Sequence, residues 1–125
     1  MADFVSDADL AIEPMSELGW DVDFVSWRDR SASWDEFDAV YLCTPWDYPE
    51  EPAAFLEVLE CIDRSSALLV NSLDLVRWNL DKTYLREIEA RGGGIVPSRW
   101  YTAPGAADFA ESIRAFGGGR IVVKP

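Results

Sequence analysis

Apolar residues along the chain follow two rhythms. Ala8, Ala11, Ile12, Met15 and Leu18 recur at helical spacing and predict a helix from Asp7 to Leu18 that Gly19 ends. Pro14 falls inside that run and predicts a kink, or a later start near Glu13. Pro52 suits the first turn of a second helix, with Phe55, Val58, Leu59 and Ile62 as its buried stripe. Leu73 to Trp78 reads as a turn of helix. Lys82 to Ala90 is a clearer helix, with Tyr84, Leu85 and Ile88 on one side. Ala106, Phe109, Ala110, Ile113 and Phe116 mark the last helix.

The second rhythm is that of strands. Val22 to Trp27 alternates, with Val22, Phe24 and Ser26 facing one way and Asp23, Val25 and Trp27 the other. Ala39 to Cys43 is a continuous apolar run, as expected for a strand buried on both faces. Ala67 to Val70 and Arg120 to Lys124 complete the set, and Ile95 begins a short extended piece that continues to Thr102. Strands alternating with helices predict an α/β fold with a mainly parallel sheet. The polar turn between Val70 and Lys82 is the best candidate for a domain boundary.

Composition narrows the function classes. A chain of 125 residues with 49% apolar content can bury a core. Its net charge of -12 repels nucleic acid and anionic membranes, so neither is an expected partner. There is no histidine, and neither Cys43 nor Cys61 belongs to a Cys-x-x-Cys pair. Histidine acid–base chemistry and a structural zinc site are therefore not expected. Two reduced, buried thiols suit a cytoplasmic protein. No apolar run approaches the ~18 residues of a membrane span, and no basic-then-apolar leader opens the chain.

The glycine triplets at 92–94 and 117–119 each follow a helix and precede an extended run. A phosphate loop needs the reverse order, so both read as helix stops. Trp46-Asp47-Tyr48, held between Pro45 and Pro49, follows a predicted strand, where open parallel sheets collect ligands. It reads equally as a pocket wall or as a packed turn in which Asp47 bonds nearby backbone. Lys124 ends an apolar run, where its head must reach solvent or an anion.

Together, several short motifs resemble a known family. They are Gly19-Trp20, Trp46-Asp47-Tyr48, Asn71-Ser72, Trp78 to Leu85, Ile95-Val96-Pro97 and Val122-Val123-Lys124-Pro125. In this order they resemble the N-terminal part of ATP-grasp proteins of the glutathione-synthetase-like group. The resemblance implies a Rossmann-like pre-ATP-grasp domain over residues 1–76 and the beginning of the ATP-grasp nucleotide-binding domain over residues 77–125. It also implies ATP-dependent joining of a small carboxylate to an amine through an acyl-phosphate, with Mg2+. Lys82 and Lys124 match the two lysines that share the nucleotide, and Trp46, Asp47 and Tyr48 are candidates for contact with the substrate. Cys43 stands where the family pattern leads one to expect an arginine.

The first strand of the family pattern is absent, and its magnesium ligands and catalytic arginine would lie beyond Pro125. The expectation is an N-terminal fragment, inactive alone, with open strand edges that favour partial order or self-association. Two alternatives come from other classes. One is a non-catalytic nucleotide-binding or protein-interaction module on an α/β scaffold. The other is a Rossmann-like half of a different nucleotide enzyme.

Overall fold

The computed structural model describes residues 7–43 and 45–124. They form two compact units, one ending at Lys82 and the other beginning at Thr83.

The first unit is built on a β-α-β segment. Strand β1 (Ala39–Tyr41) leads through helix α2 (Pro52–Arg64) to strand β2 (Leu68–Val70). The two strands pair in parallel, with Ala39 opposite Leu68, Val40 opposite Leu69 and Tyr41 opposite Val70. The ladder runs one bond further at each end, from Leu68 N–H to the Asp38 carbonyl (3.0 Å) and from Leu42 N–H to the Val70 carbonyl (2.8 Å). Parallel strands need a long crossover, and α2 supplies it.

Helix α2 starts at Pro52, as the sequence predicts. It ends where the Ser65 hydroxyl donates to the Ile62 carbonyl at 2.7 Å. Its predicted stripe of Phe55, Val58, Leu59 and Ile62 is buried against Leu69 of β2 and against Leu73 and Val76 of helix α3 (Leu73–Asn79). Leu59 has no exposed surface, a burial that stabilises by about 1.5–3 kcal/mol. Ser72 caps α3, its hydroxyl accepting from Leu75 N–H at 3.4 Å. Arg77 of α3 reaches back to Glu60 of α2 at 2.6 Å.

The α/β reading holds in this small form, with a two-stranded parallel sheet in a mostly helical chain. Two predicted strands do not form. Val22 to Trp27 is irregular, and the ladder of β1 is made with β2 alone among the described residues. Alternation there matched a strand, but the segment is anchored by the Trp27 side chain and not by a backbone ladder. The run from Arg120 to Lys124 is likewise irregular, with Val122 and Val123 exposed. Nor is β1 buried on both faces, since Tyr41 is 68% exposed and its cross-strand partner Val70 is also open. Both cysteines are exposed, against expectation. Cys61 lies one position before Ile62, off the buried stripe of α2, and Cys43 lies beyond the end of β1.

Helix α1 (Asp7–Glu17) runs across Pro14, which removes one ladder donor. Its end matches those of the two helices that the glycine triplets follow. Trp20 N–H bonds the Met15 carbonyl and Gly19 N–H bonds that of Ser16. Gly93 and Gly92 repeat the pattern on Ile88 and Glu89, and Gly118 and Gly117 repeat it on Ile113 and Arg114. This paired closure needs a left-handed residue, and Gly92 and Gly117 supply it at φ 84° and 74°. Both triplets are therefore helix stops.

The second unit holds helices α4 (Tyr84–Ala90) and α5 (Ala106–Ala115). Helix α4 starts two residues after Lys82, so that lysine lies in a turn and not on the helix. The Asp108 carboxylate accepts from Gly105 N–H at 2.8 Å and closes the first turn of α5. The stripe predicted for α5 is only partly covered, with Phe109, Ile113 and Phe116 exposed. The buried residue is Ser112, whose hydroxyl pairs with that of Tyr101 at 2.9 Å.

Candidate functional site

A cleft of about 170 Å³ opens in the first unit beyond the carboxyl ends of β1 and β2. Leu42 follows the one strand and Asn71 the other, and both line it. This is where open parallel sheets place their ligands. Pro45, Phe55, Val76 and Leu80 add apolar walls. Tyr48, Asn79 and Lys82, with Asn71, supply the polar groups. The volume lies below the ~300–1,000 Å³ usual for pockets that enclose a drug-sized ligand. It can enclose a group of a few heavy atoms.

The wall is fixed by aromatic contacts. The Tyr48 ring lies 5.3 Å from that of Phe55, and its hydroxyl donates to the Leu80 carbonyl at 3.1 Å. Trp27 meets the same Phe55 edge-on at 5.4 Å. Its indole N–H donates to Asp47 Oδ1 at 2.8 Å. The other carboxylate oxygen accepts from Arg28 Nε at 2.7 Å. Arg28 also pairs with Glu51 and, at 3.4 Å, with Glu50, and its guanidinium sits 4.3 Å from the centre of the Trp27 ring. The Arg28 and Trp27 hydrogen bonds hold the Asp47 carboxyl below the usual carboxylate range. Asp47 and Glu51 in turn raise the pKa of Arg28.

The sequence candidates therefore separate. Tyr48 lines the cleft. Asp47 is engaged by Trp27 and Arg28, side chains from an earlier segment and not only nearby backbone. Trp46 is 87% exposed and lines no part of the cleft. Lys82 lines the cleft from the turn at the end of the first unit. Lys124 belongs to the second unit, exposed in its irregular final segment.

Arg28, Trp27, Asn71 and Asn79 were not singled out by the sequence as site residues. Arg28 supplies a cation to the loop that follows Cys43, but from a different segment. Its one visible signal is a lone Trp27-Arg28 pair upstream of an acidic loop, which carries no pairing information by itself. A second cavity, also about 170 Å³, is lined in the other unit by Thr83, Arg86, Trp100, Tyr101 and Thr102. Arg86 lies 5.9 Å from the centre of the Trp100 ring.

Among the described residues no three Asp, Glu, Cys or His side chains gather to hold a metal ion. No helix among them is long and apolar enough to cross a membrane.

Comparison with known proteins gives the family. The profile described as D-cycloserine synthetase DcsG, N-terminal domain, matches residues 1–71. The cycloserine biosynthesis protein DcsG of Streptomyces lavendulae is 33% identical over 119 residues, covering 91% of this chain. The chain spans 39% of that relative's length. No solved structure matches. The match covers the β-α-β segment and Asn71 at the cleft, and on it the chain belongs to the family of DcsG N-terminal domains.

Proposed function

We propose that this chain forms the N-terminal part of an ATP-dependent carboxylate–amine ligase of the ATP-grasp kind. In this reading residues 1–76 make the Rossmann-like pre-ATP-grasp domain and residues 77–125 begin the nucleotide-binding domain. The observation that carries it is the meeting of Tyr48 and Lys82 in one cleft beyond the carboxyl ends of β1 and β2. One was a candidate for the substrate and the other for the nucleotide. The family description, a synthetase of D-cycloserine, supports the same reaction class. A carboxylate and an amine joined within one molecule close a ring, which fits a cyclic product.

The chemistry balances as follows. A carboxylate oxygen takes the terminal phosphoryl group of ATP and ADP leaves. The amine nitrogen then bonds the carbonyl carbon, the C–O bond to phosphate breaks, and nitrogen gives up a proton. Catalysis of such transfers is mostly positioning and charge neutralisation. Lys82, which lines the cleft, suits contact with the nucleotide's phosphates, and the family resemblance assigns Lys124 to the same nucleotide. Mg2+ would accompany the ATP; among the described residues no three Asp, Glu, Cys or His side chains gather to hold it.

The test is ADP release by the native protein that carries these residues, given ATP, Mg2+ and a panel of small amino acids. Release that depends on one amino acid and falls at least about tenfold in Lys124→Ala is expected, the scale of losing one charge-assisted contact. Release indifferent to every amino acid would refute the ligase reading.

A further inference from the structure

We propose that the cavity of the second unit binds a small phosphate, free or carried as a monoester, and that Arg86 is the residue that grips it. The site uses neither of the lysines proposed for ATP and stands without the ligase reading. The cavity, of about 170 Å³, is lined by Thr83, Arg86, Trp100, Tyr101 and Thr102, and no carboxylate lines it. The charge of the chain is unevenly divided. The second unit carries six Lys and Arg against four Asp and Glu, whereas the first carries five against 19. An anion is therefore repelled by the first unit and not by the second. Within the second unit Arg91 is paired with Glu87 and Arg99 with Glu111. Arg86 makes no ion pair among the described residues, and its guanidinium lies 5.9 Å from the centre of the Trp100 ring. A ring face attracts a guanidinium without neutralising its charge, so that charge is left for an anion to match. The fork of Arg86 and the Thr102 hydroxyl together offer more donors than two carboxylate oxygens use, and the several oxygens of a phosphate match them. The wall is held in place from behind. The Tyr101 hydroxyl is bonded to Arg99 at 3.3 Å and to the buried Ser112 of α5 at 2.9 Å. Such preorganisation lowers the ordering cost of binding.

The test follows the Trp100 indole N–H and the Arg86 Nε–H of the native protein by ¹H–¹⁵N NMR. Inorganic phosphate, glycerol phosphate and acetate are titrated separately at constant ionic strength. Both resonances should move saturably with phosphate, while the indole of Trp27 in the first unit stays still. Acetate should bind at least about tenfold more weakly. Glycerol phosphate binding as tightly as phosphate would assign the site to monoesters, and binding at least about tenfold weaker would assign it to the free ion. Arg86→Lys keeps the charge but removes the planar fork, so it should weaken phosphate at least about tenfold while the spectrum stays dispersed. Thr102→Val should weaken it about tenfold, the scale of one hydrogen bond to a charged group. Arg91→Lys, at an arginine already paired with Glu87, should leave it unchanged.

No saturable shift with either phosphate would overturn the proposal, as would acetate binding of equal strength. So would phosphate affinity unchanged in Arg86→Lys, or lowered equally in Arg91→Lys. Displacement of bound phosphate by Mg2+–ATP more readily than by glycerol phosphate would place Arg86 at the nucleotide and overturn the separate site.

Discussion

The Trp27 indole N–H donates to Asp47 Oδ1 at 2.8 Å across 20 residues of sequence. That one bond ties an irregular segment to the loop that carries Tyr48 into the cleft. Trp27 also packs on Phe55, and Tyr48 packs on the same ring. The loop is thus set by an aromatic group and a carboxylate together, and Arg28 takes the second carboxylate oxygen at 2.7 Å.

Asp47→Asn separates the two bonds, because the amide oxygen can still accept from Trp27 while the charge pairing with Arg28 is lost. The folded-state pKa of Asp47 is depressed, first by Arg28 and then by Trp27. Its stabilising contribution is therefore fully present above the unfolded carboxylate value of about 3.9 and is lost as pH falls through the lower folded value. Urea midpoints of wild type should exceed those of Asp47→Asn at pH 6, and the gap should begin to close below about pH 4 and go on closing as pH falls through the lower folded value. Added salt should narrow the gap, since the pair is solvent-accessible. A difference constant from pH 6 to pH 3 would show that the pair contributes nothing.

Leu59 is completely buried between α2 and its neighbours, whereas Leu68 of β2 points to the open face of the sheet. Leu59→Ala should cost about 2–5 kcal/mol in chemical denaturation. Leu68→Ser should lie within about 0.5 kcal/mol of wild type. Equal losses at the two positions would mean that the open face is covered in solution.

In the second unit, Tyr101→Phe removes the partner of the buried Ser112 hydroxyl. Arg99 keeps its 2.7 Å bond to Glu111 but loses its contact with the Tyr101 hydroxyl. The cost should be about 1–3 kcal/mol, the penalty of leaving a buried hydroxyl unsatisfied. Amide exchange from Ala106 to Ala115 should quicken accordingly. Unchanged exchange would show that the Tyr101–Ser112 contact does not order α5.

The β-α-β segment was readable because each of its parts carries a local signal. The apolar run at Ala39, the proline at the first turn of α2 and the stripe Phe55, Val58, Leu59 and Ile62 all point to one arrangement. The glycine stops were readable for the same reason, since chain order alone excluded a phosphate loop. The strand at Val22 to Trp27 was not, because alternation marks which residues could pair and is silent on whether a neighbour is there. At the site, Tyr48 and Lys82 were legible from motif, but their cleft was not. It is completed by Asn71 and Asn79, and its wall is set by Trp27 and Arg28, whose partners lie about twenty residues away. Such long-range side-chain pairing leaves no periodic trace.

The most direct measurement is the affinity of the native protein for Mg2+–ATP, by calorimetry, in wild type, Lys82→Ala and Lys124→Ala. Lys82 and Lys124 are each proposed to contact ATP. Each substitution should therefore weaken binding by about 1–3 kcal/mol, the scale of a lost charge-assisted contact, with the folded state intact. Dissociation constants unchanged by both substitutions would contradict the account.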